Sequence, residues 1–410
     1  MSGYAVRSHC ILRAQQAAGM TVRAITGPYY GGQGGTVEDA VVEGIRYDRV
    51  PAPEDRMEQP NWVGRICEHL GGVRGAAKMG QDMLLLEYFR LGIERLARRW
   101  RPDVVHAHSP YRCILPAYVV ARRLGLPVVY EVRGLWEDSG VMQGNIRPGS
   151  VKYRYHVWLE QQGLEVADVV VAIGEHLRED LIRRGVPEDR CFVVPNAVEP
   201  SRFVPREPDA QLIRHHRLRA NVLGYIGSHR QMEGIEYFIG AFAKIAARRE
   251  DVSLLLVGDD DRNGPLLRRR AVELGVADRI VFTGRVPFDQ IARYYSVIDI
   301  FAVTRPSGRA TELVTPLKPL EAMAMGKAVI GSSVGGIREL IDDGQTGLLY
   351  EAGNVEDLVR AIERLLDDPA LRERLASSGR GHVLEQRNWE RVCRRYDLVY
   401  RKARSIARTD

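Results

Sequence analysis

Short runs of β-branched residues alternate with longer amphipathic stretches along almost the whole chain, a period that dictates parallel sheets joined by crossover helices. In the first half the runs fall at 21–26 (TVRAIT), 104–108 (VVHAH), 128–133 (VVYEVR), 169–173 (VVVAI) and 191–194 (CFVV). A second set begins at 222–226 (VLGYI) and continues at 253–257, 279–282, 298–303, 328–330 and 347–349. A chain of 410 residues, 45% of them hydrophobic, exceeds one ordinary core and suits two α/β domains. Between the sets lie Pro200, Pro205 and Pro208 and no strand pattern, so the hinge belongs near 198–218. The expected division is a first domain over 1–200 and a second over 201–385. The tail from 355 to 408 reads as helical, and its apolar stripe of Trp389, Val392, Tyr396, Val399 and Tyr400 brings the last segment, about 386–410, back to the first domain.

Several classes are excluded. The best membrane-span candidate, 114–132, is cut by Arg122 and Arg123. The five cysteines form no CxxC or Cys/His cluster, which leaves neither a disulfide framework nor a thiolate metal site. A cytoplasmic setting follows, and the chain opens without a signal-peptide pattern. The Gly-rich stretch 27–35 reads as a mobile loop.

The net charge of +6 is concentrated: segment 74–123 carries ten bases against four acids. Leu84, Leu85, Leu86, Phe89, Ile93 and Leu96 recur there at helical spacing. The segment is either a helix packed on its own domain with a solvated basic face, or one whose basic face rests on anionic lipid at the inner face of a membrane. No aromatic-interleaved basic stripe points to nucleic acid.

In an open doubly wound sheet the first strand is central, and a glycine in the turn after it lets the backbone approach a ligand. Here Gly3, followed by a helical run from Ala5 to Ala18, occupies that turn, so the first strand is expected to lie upstream of Met1. Gly3 then becomes an acceptor-side or sugar contact.

The densest chemical signal runs from Arg309 to Lys327, after a strand and opening a helix. A helix N-terminus offers free N–H groups and partial positive charge to a phosphate, and Lys318 adds a full charge. Glu321 offers two oxygens at the spacing of a ribose diol, and Glu312 on the preceding loop could reach sugar hydroxyls. The bland alternative is a capped helix with a surface Glu/Lys pair.

The run TELVTPLKPLEAMAMGKAVIGSSVGGIRELIDDGQTGLLY, with GDDD at 258–261, FTGRVP at 282–287 and VPNAV at 194–198, resembles glycosyltransferase family four, retaining enzymes of GT-B fold. HAHSP at 106–110, YEVRGLWED at 130–138 and TELVTPLKPLEAM at 311–323 are closer still to the subgroup encoded with exosortase-A exopolysaccharide systems. The resemblance implies two Rossmann-like domains facing a cleft, a nucleotide diphosphate sugar as donor, and a glycan or lipid-linked acceptor. It makes Glu321 the ribose ligand, Glu312 a donor-sugar ligand and His108 (less so His106) the catalytic histidine.

The chain departs from the family in two places. The two glutamates stand nine apart rather than eight. The basic pair that usually follows the second domain's first strand is replaced in Gly227-Ser228-His229-Arg230-Gln231-Met232-Glu233-Gly234, where Ser228 and Glu233 occupy the basic places. Gly227 and Arg309 are expected to line the donor site, with Arg230 and Lys318 supplying the charge that meets the diphosphate. Arg133, in a loop with Glu131, Glu137 and Asp138, is a candidate sugar or acceptor contact. Asp259-Asp260-Asp261 imitates a metal-binding triplet but sits in the family's ordinary loop, so no metal cofactor is expected. The reading is a metal-independent hexosyl transfer with retention. The rivals are a GT-B sugar-nucleotide epimerase, a phosphorylase and an inactive scaffold subunit.

Overall fold

The computed structural model describes residues 3–28, 39–50, 74–259 and 262–407, with the backbone alone over 74–82. Met1, most of the Gly-rich stretch, Asp260 and Asp261 lie outside the described residues.

The second domain is a six-stranded sheet of β8 (Asn221–Ile226), β9 (Val252–Val257), β10 (Ile280–Gly284), β11 (Ile300–Val303), β12 (Ala328–Ser332) and β13 (Leu348–Tyr350), in the order β10-β9-β8-β11-β12-β13. Every pairing is parallel. Strands β8, β9, β11 and β12 are buried almost throughout, which is why they read as continuous apolar runs rather than alternating ones. The strand order reverses between β8 and β11, so their C-terminal ends open a crevice for ligand.

The first domain holds a parallel sheet in the order β4-β5-β6-β7, made of β4 (Val105–His108), β5 (Val128–Val132), β6 (Val169–Ala172) and β7 (Cys191–Val193). Strands β1 (Ala24–Thr26), β2 (Ala40–Val42) and β3 (Ile45–Arg49) form a separate sheet in the order β1-β3-β2. Among the described residues no strand joins β1 to β4. The β2–β3 hairpin was not legible in the sequence. It turns on Glu43 and Gly44, both at positive φ (46° and 82°), a left-handed pair usually signalled by Asn-Gly.

Side chains alternate across β5. Val128, Tyr130 and Val132 face helices Tyr111–Leu124, Val151–Val166 and Glu175–Arg183, while Val129 faces helix Gly3–Ala17 and the C-terminal helices Trp389–Cys393 and Arg395–Ile406. The tail is thus part of the first domain's core through Trp389, Tyr396, Val399 and Ala403. The chain crosses over at the bridge between Val198 and Asn388. The hinge segment contains a helix, Ala210–His216, capped by Asp209, and Phe203 and Leu212 already belong to the second domain's core.

The basic segment 74–123, expected as one helix, folds as helix Arg74–Trp100, strand β4 and most of helix Tyr111–Leu124, and the first helix packs on the second with Phe89, Ile93 and Ala97 in the shared core. Leu84 is a correction: it points outward at 66% exposure, beside exposed Met83 and Leu91. Among the described residues Arg90 pairs with Glu87 and Glu94, Arg98 and Arg123 with Glu94, and Arg122 with Asp168. Among the described residues no helix is long and apolar enough to cross a membrane.

Two buried carboxylates tie the first domain together. Glu131 on β5 accepts from Arg7 Nε at 3.0 Å, Arg133 Nε at 2.6 Å and the Tyr396 hydroxyl. Glu160 accepts from the Tyr130 hydroxyl and, at 3.1 Å, from the Tyr111 N–H. Burial pushes its carboxyl up to about 7, against the opposing pull of those hydrogen bonds.

Tyr396→Ala removes a buried ring and leaves Glu131 short of a donor, so urea unfolding should show a loss of about 3–5 kcal/mol; a loss under about 1 kcal/mol contradicts the tail's place in this core. For Glu160 the folded state holds a proton that the unfolded chain releases. Its contribution is complete below the ordinary carboxyl value and is lost as pH rises through about 7. The stability of the wild type relative to Glu160→Gln should therefore fall between about pH 5 and pH 8. A flat difference contradicts the assignment.

Candidate functional site

The C-terminal ends of β8 and β11 build one wall of the cleft. Gly227 follows β8 at φ 153°, and a Cβ there would stand 2.2 Å from Lys318 Cε, so only glycine lets the Lys318 stem cross the turn. Lys318 opens helix Lys318–Ala324, with Pro319 in its first turn. Its ammonium lies 2.9 Å from Glu233 Oε1 and 5.1 Å from the centre of the Tyr225 ring. Arg305, just past β11, grips the same carboxylate through Nε at 3.2 Å and Nη2 at 3.1 Å and donates Nη1 to Val314 O at 3.2 Å. One turn into the helix, Glu321 accepts from the Tyr295 hydroxyl at 3.1 Å. Burial raises its carboxyl, opposed by Tyr295 and Lys318. It lines a cavity with Leu317, Phe288, Ala197 and the helix residues His9 and Cys10, at the seam of the domains.

Glu312 lies elsewhere. Its Oε1 accepts from Ser307 at 2.9 Å and its Oε2 from the Gly335 N–H at 2.7 Å, and it lines a different cavity with Ser333, Asp343 and Tyr350. Arg309 departs from expectation: it reaches across to the first domain, 2.9 Å from Asp138 and 3.1 Å from Asp180. Two further contacts join the domains. Glu339 accepts from the Glu175 and His176 N–H groups at 2.8 and 2.9 Å, and Asn196 Nδ2 donates to Thr315 O at 2.7 Å. Arg230 is exposed at the rim, leading into the turn that carries Glu233.

The opposite wall comes from the ends of β4 and β5 and the start of helix Gly3–Ala17. A Cβ on Gly3 would meet Leu317 at 3.9 Å, so the helix start abuts the lysine-bearing loop. Tyr4, next in line, sits in the field of Arg133, Arg230 and Arg305, groups drawn from both domains. His108 ends β4, with Nδ1 3.3 Å from Ser8 Oγ. Burial, reinforced by the Arg133 charge, holds its imidazole well below the usual histidine range and therefore neutral. His106 lies behind it, edge-on at 4.8 Å between ring centres and 3.0 Å from the Tyr400 hydroxyl. Arg133 is turned inward: it donates to Glu131, to Tyr4 O at 3.0 Å and to Ser8 Oγ at 2.7 Å. Its role here is to bind the helix start to β5.

His106, His108 and Glu131 bring ligand atoms within 4.8 Å of one another, the spacing of a metal site. They do not fit a cation: the Glu131 carboxylate is already compensated by Arg7 and Arg133, and a third positive charge would enter a buried site against two guanidiniums.

Sequence reasoning missed Arg305, Tyr4 and the pairing of Glu233 with Lys318. A charged residue directly after a buried parallel strand, at the ligand-binding edge, is the signal that could have found Arg305.

The model of the glycosyl transferase 4-like domain matches residues 2–197, and that of glycosyl transferases group 1 matches residues 220–368. The chain is 27% identical to alpha-maltose-1-phosphate synthase of Mycolicibacterium smegmatis, over 73% of this chain and 79% of the relative. Among solved structures it resembles sucrose-phosphate synthase of Thermosynechococcus elongatus, with a TM-score of 0.73 at 23% identity, covering 98% and 93% of the two chains. It also resembles HepE of Anabaena in complex with UDP-glucose, with a TM-score of 0.64 at 20% identity, covering 76% and 81%. With both halves matched in order and the two Rossmann-like domains in place, the chain belongs to the family-four type of glycosyltransferases of GT-B fold.

Proposed function

We propose that this glycosyltransferase moves a hexosyl group from a nucleotide diphosphate sugar to an acceptor hydroxyl with retention of anomeric configuration and without a metal. The observation that carries it is the grouping of Lys318 and Glu321 on the first turn of one helix, across the cleft from the neutral His108. Donor ribose pairs with Glu321, and the diphosphate meets the Lys318 charge at the helix start, backed by Arg230 at the rim. His108 orients the reacting sugar. The acceptor oxygen bonds to the anomeric carbon as the bond to the phosphate oxygen breaks. The acceptor's proton passes to the leaving phosphate, and the cationic wall stabilises the developing charge. Such same-face attack needs no protein nucleophile, and no carboxylate assigned to the first-domain wall is free to serve as one, since Glu131 is clasped by Arg7 and Arg133.

The relative's name specifies an alpha product, and the HepE structure holds UDP-glucose, which supports an alpha-linking, nucleotide-sugar reading. The motifs HAHSP and TELVTPLKPLEAM support a place in exopolysaccharide or glycolipid assembly with a lipid-linked acceptor. Exposed Met83, Leu84 and Leu91 beside Arg95 and Arg98 on one helix form the face assigned to an anionic membrane surface, on its cytoplasmic side.

The test is donor turnover with a panel of UDP-, GDP-, ADP- and TDP-sugars. Glu321→Ala and His108→Ala should each lower it by about 100-fold, whereas Glu312→Ala, which loses a backbone contact at Gly335, should lower it by less than about tenfold and reduce Tm. NMR of the product should show the donor's anomeric configuration, and EDTA should leave the rate unchanged. An inverted product or a metal-restored rate contradicts the mechanism; no turnover and no thermal shift by any nucleoside diphosphate favours a scaffold.

A further inference from the structure

The wall built by the second domain contains a buried acid where its role is least obvious. Glu233 stands on the short turn Gln231–Glu233, directly after β8. The turn is fixed in place. Gly234 adopts φ 65°, where a Cβ would fall 2.0 Å from Thr304 O, and the Thr304 hydroxyl donates to Gly234 O at 2.9 Å. The side chains of Glu233 and Arg305 are 5% and 6% exposed, that of Lys318 is 18%. Of the three, Lys318 is therefore the group that meets the cleft.

The charges have a definite order. Arg305 engages both oxygens of Glu233 and a backbone carbonyl, which makes a neutral, rigid pair. Lys318 donates one N–H to that pair, and the net positive charge of the cluster resides on its ammonium. An isolated buried lysine loses its proton readily. Burial and Arg305 push Lys318 below the usual lysine range, and Glu233 is the foremost group that opposes them.

We propose that Glu233 is a positioning residue that keeps Lys318 charged and aimed across Gly227 at the donor's diphosphate, and that Arg305 serves by holding Glu233. In this chain the acid in the turn and the lysine on the helix divide between two elements the task of a single basic residue. The inference rests on the reading that a nucleotide diphosphate occupies this wall.

The charged groups facing Lys318 are Glu233 from the turn, Arg305 from the loop after β11 and Glu321 from its own helix, with the Tyr225 ring of β8 beneath it. Replacing Glu233 by glutamine removes the group that holds the proton, so the cation is lost as pH rises. Binding of UDP, GDP and ADP is measured by calorimetry between about pH 7 and pH 9, using whichever binds the wild type most tightly. The wild-type Kd should change by less than about threefold, whereas that of Glu233→Gln should rise by about tenfold or more across the range. The double variant Glu233→Gln/Lys318→Arg, whose guanidinium does not titrate, should be flat again. A Glu233→Gln profile parallel to the wild type overturns the inference alone; failure of the wild type to bind any of the three overturns the donor reading and the inference together. A second measurement reads the wild-type protein itself. With six lysines in the chain, ¹³C NMR of the dimethylated protein resolves Lys318, assigned through Lys318→Arg. The wild-type ammonium should stay protonated at about pH 8, and a neutral Lys318 at about pH 7 overturns the proposal.

Discussion

A fully buried carboxylate clasped by two cations stands at the cleft edge of each domain, and the placement of the other site residues follows from these two clasps. Stripping a carboxylate of water costs several kcal/mol unless its lone pairs are filled and its charge is compensated. Glu131 meets that condition through Arg7, Arg133 and Tyr396. Glu233 meets it through Arg305 and Lys318. Each clasp draws its partners from distant segments, and so converts a local charge into a tertiary constraint. The first joins the N-terminal helix, β5 and the C-terminal helix; the second joins the turn after β8, the loop after β11 and the start of helix Lys318–Ala324.

The two clasps also set the electrostatics of the cleft. In the first domain the positive charge is turned inward on Glu131, and burial leaves His108 neutral beside it. In the second, the surplus falls on Lys318, at a helix start where backbone N–H groups add to it. The cleft thus has a neutral, hydrogen-bonding wall and a cationic one. That asymmetry suits a reaction in which sugar hydroxyls are oriented on one side while a phosphate departs on the other. The domain seam is closed by Arg309 on Asp138 and Asp180 and by Glu339 on the start of helix Glu175–Arg183, contacts that keep the walls facing each other.

Much of the fold was legible because burial writes itself into the sequence. Strands β8 to β13 and β4 to β7 stand out as β-branched runs since both faces of a doubly wound sheet are covered. The hairpin at Glu43-Gly44 was not, because its turn lacks the usual residues and its strands are short. The site was legible in part. Lys318 and Glu321 share one helical turn, where the free N–H groups and the lysine charge pointed to a phosphate and the carboxylate to a diol, which the family resemblance made a ribose. Glu233 was readable only as a departure from a basic pattern, because its partner Arg305 is 72 residues away and pairing over that distance leaves no local trace. Arg309 was misplaced for the same reason: a motif fixes which residues are near in sequence, while Asp138 and Asp180 decide where that side chain ends.

The central claim is that the donor's diphosphate lies on the Lys318 wall with its ribose on Glu321. A crystal structure with a bound nucleoside diphosphate tests it most directly. The account predicts a phosphate oxygen within hydrogen-bond distance of Lys318 Nζ and both ribose hydroxyls on the Glu321 carboxylate. A nucleotide seated in the Glu312 cavity, or one whose phosphates leave Lys318 untouched, would contradict it.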